Sequence, residues 1–178
     1  MPMIDVLIPA DALTPHAEAR LFKELSNILI EAEGYDRDNR IAQSVTVLNL
    51  HRPEAVYVGG ELSKLPRYRI IPTVPEGQYT DESRKKLVRA ITEAVARAEN
   101  GAFEDVAMRV WVFPTEIPEG QWGSRGGIRT VADIHAMLVD DPEQRSVGSE
   151  RLAGKRRDDA RRMLEAALDA ACFGAAKE

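Results

Sequence analysis

Two stretches of the chain carry the same order of apolar and polar positions. Met3-Ile4-Asp5-Val6-Leu7-Ile8-Pro9 is a short apolar run closed by a proline, and Arg69-Ile70-Ile71-Pro72-Thr73-Val74-Pro75 is another. Thr14 then opens a helical pattern with apolar residues at Ala17, Leu21, Leu25, Ile28 and Leu29. Thr80 opens a matching one with Leu87, Ile91, Val95 and Ala98. Pro9 and Pro75, Thr14 and Thr80, and Leu21 and Leu87 are separated by the same number of positions, so the chain contains an internal repeat. Thr14 before Pro15 suits a cap and a first-turn proline. Thr80-Asp81-Glu82 puts a capping hydroxyl and two acids at the positive end of a helix dipole. The helices should end near Gly34 and Asn100-Gly101. Ser44–Leu50 and Val106–Phe113 follow them, rich in β-branched and aromatic residues, and read as strands.

The chain therefore reads β-α-β, linker, β-α-β, an α/β fold of two tandem units. Each crossover should be right-handed and make its two strands parallel. The expected product is a four-stranded sheet with two helices on one face. Its other face stays bare and partly apolar, which self-association would cover. From about Thr130 a helical pattern runs through Val131, Ile134, Met137 and Leu138 and breaks at Asp140-Asp141-Pro142. A last helix is predicted from about Glu150 to Cys172, with Leu152, Ala160, Met163, Leu164, Ala167, Leu168 and Ala171 on its apolar side. That stripe should dock on the body of its own chain or a neighbour, as a stability element that the chemistry does not require. Lys155-Arg156-Arg157 and Arg161-Arg162 alternate with acids and read as a solvated face. Residues 1–147 form the expected domain, with unit one over 1–66 and unit two over 67–129, and 148–178 a C-terminal helical extension.

Composition narrows the chemistry. The 178 residues are 44 % hydrophobic and 30 % charged, with a formal charge of −5. That balance argues against nucleic acid, which calls for a basic face. No run of about 20 apolar residues offers a membrane span. The amino-terminal stretch has neither the basic nor the apolar segment of a signal peptide, so a cytoplasmic location is expected. One cysteine, Cys172, excludes an intrachain disulfide, and His16, His51 and His135 lack metal-ligand spacing. Gly59-Gly60 and Gly126-Gly127 are turn glycines, not phosphate loops.

The candidate chemistry starts at Pro2. Removal of Met1 would leave a secondary amine, and burial or a nearby arginine would lower its pKa enough to make it a general base. Farther along stand Met108-Arg109-Val110-Trp111-Val112-Phe113, Thr115-Glu116 and Gly120-Gln121-Trp122-Gly123-Ser124-Arg125-Gly126-Gly127. With the Pro2-Met3-Ile4 start, these segments resemble the tautomerase superfamily, in particular 4-oxalocrotonate tautomerase. Two fused copies over about residues 2–127 resemble its double-length branch, which includes malonate semialdehyde decarboxylase and cis-3-chloroacrylic acid dehalogenase. His51-Arg52-Pro53 is similar to a tract of the decarboxylase.

The resemblance implies a homotrimer, no cofactor, and a small carboxylate substrate. It implies Pro2 as catalytic base, Arg109 as carboxylate anchor and Trp122 as a ring lining the site; His51, Arg52 and Arg125 are further substrate-binding candidates. The sequence departs from the family in the loop after each first strand. Neither Pro75-Glu76-Gly77-Gln78-Tyr79-Thr80 nor Pro9-Ala10-Asp11-Ala12-Leu13 holds an arginine, and Arg52, Arg67, Arg69 and Arg125 are candidates to replace it. Thr46 stands in unit one where Arg109 stands in unit two, and Tyr68 stands where Pro2 does, so each chain supplies one base. Tyr57 and Tyr79 are further proton-donor candidates.

The function expected is a tautomerase of small 2-oxo or enol carboxylic acids. Two alternatives remain open: a hydratase, dehalogenase or decarboxylase using a protonated proline, and a trimeric scaffold without catalysis.

Overall fold

The computed structural model describes residues 2–175, with side chains through Ala171. Met1 and the side chain of Cys172 lie outside the described residues. Strand β1 (Met3–Leu7) leads into helix α1 (Pro15–Ala32). Thr14 caps α1 by accepting from the Ala17 N–H (3.2 Å), and Pro15 opens its first turn. The short helix α2 (Arg40–Val45), capped by Asn39, feeds β2 (Val47–His51), which lies parallel to β1. A hairpin of β3 (Tyr57–Val58) and β4 (Glu61–Leu62) crosses to β5 (Tyr68–Pro75), which runs antiparallel to β1.

Unit two repeats the pattern. Thr80 and Ser83 form a reciprocal capping box at the start of α3 (Asp81–Glu99), and Asn100 ends it in the left-handed conformation, φ 56°. Helix α4 (Phe103–Ala107) precedes β6 (Val110–Val112) and β7 (Thr115–Ile117), both parallel to β5. The sheet order is β2-β1-β5-β6, with β7 continuing along β5.

Ile4, Val6, Ile8, Tyr68, Ile70 and Val74 face α1 and α3 and form the main core with Leu21, Leu25, Leu29, Leu87, Ile91 and Val95. Both helices cover one sheet face, as expected. On the other face Met3, Trp111 and Phe113 are exposed, and Arg67 and Arg69 stack on the Trp111 and Phe113 rings at 5.4 and 5.5 Å.

Four expectations about these elements are corrected. Ser44 and Val45 belong to α2, and Val106 and Ala107 to α4; the strands begin only at Val47 and Val110. Buried Val106 shows tertiary packing overriding its strand preference. Arg109 therefore sits in a turn before the strand, not in it. The sheet has five strands where four were expected. Its extra break has a chemical cause: the β6 and β7 registers are continuous and set Pro114 opposite Pro72, neither of which has an N–H to donate.

The remaining segments build a second, smaller core. A hairpin of β8 (Gly123–Ser124) and β9 (Gly127–Ile128) leads to α5 (Val131–Leu138), a 3₁₀ turn (Pro142–Gln144) and α6 (Arg145–Ala175). The chain breaks at Asp140–Pro142 as expected, but α6 starts before Glu150, so the expected boundary at 147 falls inside its first turn. Ile134 and Leu138 of α5 pack with Ile30, Tyr35, Ala42 and Trp122. The first half of α6 lies close on the body: a Cβ on Gly148 would meet the Ala132 Cα at 2.7 Å. The second half does not dock on its own chain. Met163, Leu164 and Leu168 are 75 %, 67 % and 67 % exposed, which corrects own-chain docking of these residues. Among the described residues no helix is long and apolar enough to cross a membrane.

Candidate active site

The β-α-β crossover brings three chain segments to one end of the sheet. Pro2 is buried at the head of β1, and its carbonyl accepts from the Val47 N–H (3.2 Å). Met3 pairs with Thr73, so the head of β1 lies beside the tail of β5 and the loop that follows Pro75. Helix α1 runs back against β1 and ends here, with Glu33 as its C-cap. An acid at that position meets the negative end of the helix dipole, so the helix itself gives no reason for it.

Glu33 is 2 % exposed and its Oε1 has no hydrogen-bond partner. Burial pushes its pKa up to about 7, against the positive charges of the amino terminus and of Arg151. Gln78 Nε2 and the Tyr79 hydroxyl, both buried, likewise have no partner. Arg151 of α6 joins these groups, donating through Nη1 to the Glu33 carbonyl (3.0 Å) and to Gln78 Oε1 (3.4 Å). Its guanidinium lies 5.4 Å from the centre of the Tyr35 ring, and the Tyr35 hydroxyl pairs with His135 Nδ1 at 2.8 Å. Burial pushes the Tyr35 hydroxyl up to about 12, and burial with the Arg151 charge holds His135 below its usual range, so this pair is neutral at pH 7.

Glu33, Gln78, Tyr79 and Arg151 line an open cleft of about 710 Å³. Pro2 does not line it, whereas Glu33, at the end of α1, does. Native structures leave few buried polar atoms unpaired. Glu33, Gln78 and Tyr79, which line one cleft, thus each keep a polar atom free for water or a polar ligand. Chemically, the arrangement offers a buried carboxyl that can exchange a proton near neutrality, two neutral donors and one cation.

The opposite end of the sheet shows what the repeat does with the same positions. Glu99 is separated from Glu33 as Tyr68 is from Pro2. Arg109 forks onto Glu99 (2.9 and 2.5 Å) and donates to the Pro66 carbonyl (2.6 Å), while the Tyr68 hydroxyl donates to Glu99 Oε1 (2.5 Å). Burial raises the Glu99 pKa, but these hydrogen bonds and the Arg109 charge outweigh it and hold the carboxyl below its usual range. In unit one Pro2 stands in place of Tyr68, and the strand registers set Val45, not the expected Thr46, in place of Arg109; neither side chain gives Glu33 a charged partner. Glu33 is thus the member of the pair left without its partners.

Of the residues singled out in the sequence, Pro2 and Tyr79 lie toward the first end, Tyr79 in the cleft and Pro2 outside its lining. Trp122 packs in the second core beside Tyr35. Arg109 lies at the far end of β5, roughly 20 Å away at 3.3 Å per strand residue. His51 and Arg52 are also at that end, where His51 Nε2 pairs with Asp5 (2.8 Å) and Arg52 with Glu18 (2.5 Å). Arg125 turns the β8–β9 hairpin at φ 50°, and Tyr57 is exposed in the β3–β4 hairpin. Within one chain none of these five reaches Pro2. Glu33, Gln78 and Arg151 were not singled out. Glu33 carried a signal, an acid against the helix dipole, whereas Arg151 is one of many charges on α6. Among the described residues no group of His, Cys, Asp and Glu is placed to hold a metal ion.

Comparison with known proteins agrees with this architecture. No family model matches the sequence, and no curated protein matches it. Solved structures do. A member of the cis-3-chloroacrylic acid dehalogenase family is similar over 84 % of this chain and 97 % of its own, with TM-score 0.60 and 16 % identity. A fused 4-OT wild-type symmetric trimer is similar over 71 % of this chain and 94 % of its own, with TM-score 0.56 and 22 % identity. A protein solved after inactivation by 2-oxo-3-pentynoate matches over the same shares, with TM-score 0.56 and 16 % identity. The chain shares the fold of these solved structures.

Proposed function

We propose that the protein is a cofactor-independent tautomerase of small 2-oxo or enol carboxylic acids, with Pro2 as general base. The observation that supports this best is the set of orphaned buried atoms, Glu33 Oε1, Gln78 Nε2 and the Tyr79 hydroxyl, gathered where β1 begins. Removal of Met1 would free the Pro2 amine beside them. The neutral amine would take the proton from the enol hydroxyl of the substrate and, as an ammonium, return one to carbon, so that no net proton is consumed. Gln78 and Tyr79 would donate to the oxygen on which charge develops. Burial of Pro2 at the head of β1 would favour the neutral amine.

One feature favours the second reading, chemistry through a protonated proline. An ionised Glu33 would stabilise a cation next to it and raise the amine pKa. With Glu33 near 7, the two readings divide at neutrality, and the pH–rate profile separates them.

The assembly in this reading is a homotrimer that covers the bare sheet face. Arg109, His51, Arg52 and Arg125 enter as site residues only across a subunit interface. The direct test is ketonisation of phenylenolpyruvate and 2-hydroxymuconate, with intact mass to establish that Pro2 is the first residue. Turnover that vanishes in Pro2→Ala supports the base. No turnover of any enol acid by a folded, Met1-free protein leaves the scaffold reading.

A further inference from the structure

We propose that Arg151 of α6 binds the carboxylate of the substrate, so that the C-terminal helix is part of the active site. This rests on the Pro2 reading above and goes beyond it by naming the anchor. Arg151 is partly buried, yet the groups it touches are neutral: the Glu33 carbonyl, Gln78 Oε1 and the Tyr35 ring. Three other cations of the docked half of α6 are balanced, and Arg157, which has no ion pair among the described residues, is exposed to solvent where Arg151 is not. Arg145 meets Asp133, Lys155 meets Glu116 and Asp159, and Arg156 meets Glu76. Among the described residues no carboxylate lies within ion-pair distance of Arg151. Even Glu33 offers it the backbone carbonyl and not the side chain. A partly buried guanidinium that faces a cleft, with no carboxylate within ion-pair distance and only a buried carboxyl titrating near 7 beside it, suits an incoming anion.

The position of α6 makes this contact reproducible. The loop after β5 has no arginine of its own, and α6 is seated on it. Gly77 has φ +91°, and a Cβ there would meet the Leu152 Cα at 3.0 Å, so no side chain separates the loop from the helix. Glu116 ties the same loop down, accepting from the Gly77 N–H (2.9 Å) and pairing with Arg84. Arg151 is therefore held against Gln78, in the cleft that Tyr79 also lines. A carboxylate on Arg151 would bring the adjoining 2-oxo group of a substrate to these two residues.

Two alkynes that differ only in charge at this position test the assignment. In 2-oxo-3-pentynoate and in its uncharged counterpart 3-pentyn-2-one, the Pro2 nitrogen adds to the alkyne carbon β to the keto group. A C–N bond forms, one C–C π bond is lost, and the amine proton ends on the α carbon. Labelling of the amino-terminal peptide is followed by mass spectrometry. Arg151→Gln should slow labelling by the acid on the order of 10- to 100-fold, the range of one lost charge-assisted hydrogen bond. Labelling by the ketone should stay within about twofold, since a ketone has no charge to lose. Arg151→Met, which keeps the stem over Tyr35, should show the same selective loss if the Gln variant folds poorly.

Equal slowing of both reagents, or of neither, overturns the anchor and leaves the Pro2 reading standing. Failure of both reagents to label Pro2 in the unaltered protein overturns the two together.

Discussion

At the Tyr68 end of the sheet, Glu99, Arg109 and Tyr68 satisfy one another. At the Pro2 end, Glu33, Gln78 and Tyr79 each keep a buried atom without a partner. The two ends derive from the same repeat and hold the same kinds of side chain. What differs is saturation. A closed cluster has already spent its hydrogen bonds and holds the fold; an open one is costly without a ligand and gains most from binding one. The family resemblance points to Arg109 as an anchor, whereas partner counting points to Arg151.

The largest effect that would break this comparison is on activity. Pro2→Ala, or a form that keeps Met1, should lower kcat/KM for an enol acid about 10²- to 10⁴-fold, the usual contribution of a positioned base. Circular dichroism should be unchanged, because the Pro2 carbonyl still accepts from Val47. A variant at the open end that lost stability but not turnover would reverse the roles assigned to the two ends.

Next comes stability at the closed end. Arg109→Ala strands Glu99 and Tyr68 in a partly buried place, and should cost about 3 kcal/mol in a denaturant titration. Its main effect should be on folding, with KM nearly unchanged once the protein is folded. A large rise in KM with stability intact would instead place Arg109 in a neighbouring chain's site.

The third test uses pH. The carboxyl of Glu33 titrates near 7 in the folded chain and near 4.5 when unfolded. The folded state thus holds its proton more tightly, and stability should fall as pH rises through that window, then level off above it. The difference is on the order of 3 kcal/mol. Glu33→Gln should remove this fall, gaining most above pH 7 and little below pH 4. A parallel pH profile in the variant would mean that Glu33 is not buried as an acid. Glu99, held below its usual range, works in the opposite sense: its contribution is lost as pH falls through the folded-state pKa.

Most of the fold was legible because its signals are local and repeated. Thr14 with Pro15 and Thr80 with Ser83 open helices wherever they stand, and the alternation of Ile4, Val6 and Ile8 sets one strand face. The strand starts at Val47 and Val110 were misplaced because Val45 and Val106 have strand propensity, and only their neighbours in space make them helical. The site was less legible. Pro2 could be named from its position, and the resemblance supplied Trp122 and Arg109. Arg151 is far along the chain from Gln78, and nothing in its surroundings distinguishes it from Arg156 or Arg157. Its role depends on which cation α6 sets over the loop and leaves unpaired, which is a property of docking and not of pattern.

The smallest expected effect compares the two halves of α6. The first half is held by backbone approaches at Gly77 and Gly148 that leave no room for a Cβ. Gly148→Ala should therefore shift α6 against α5 and cost more than a surface change. The second half carries Leu164 and Leu168 in the open. Leu164→Gln with Leu168→Gln should change the stability of the isolated chain by only about 0.5 kcal/mol, as exposed positions usually do. The same pair should matter only where a neighbouring chain covers the stripe. A melting temperature that drops with dilution in the native protein, and no longer does so in the double variant, would show that the stripe is an assembly contact. A drop of several degrees at every concentration would mean that the stripe packs on its own chain after all. The open half of α6 would then be as much a part of the body as the half that carries Arg151.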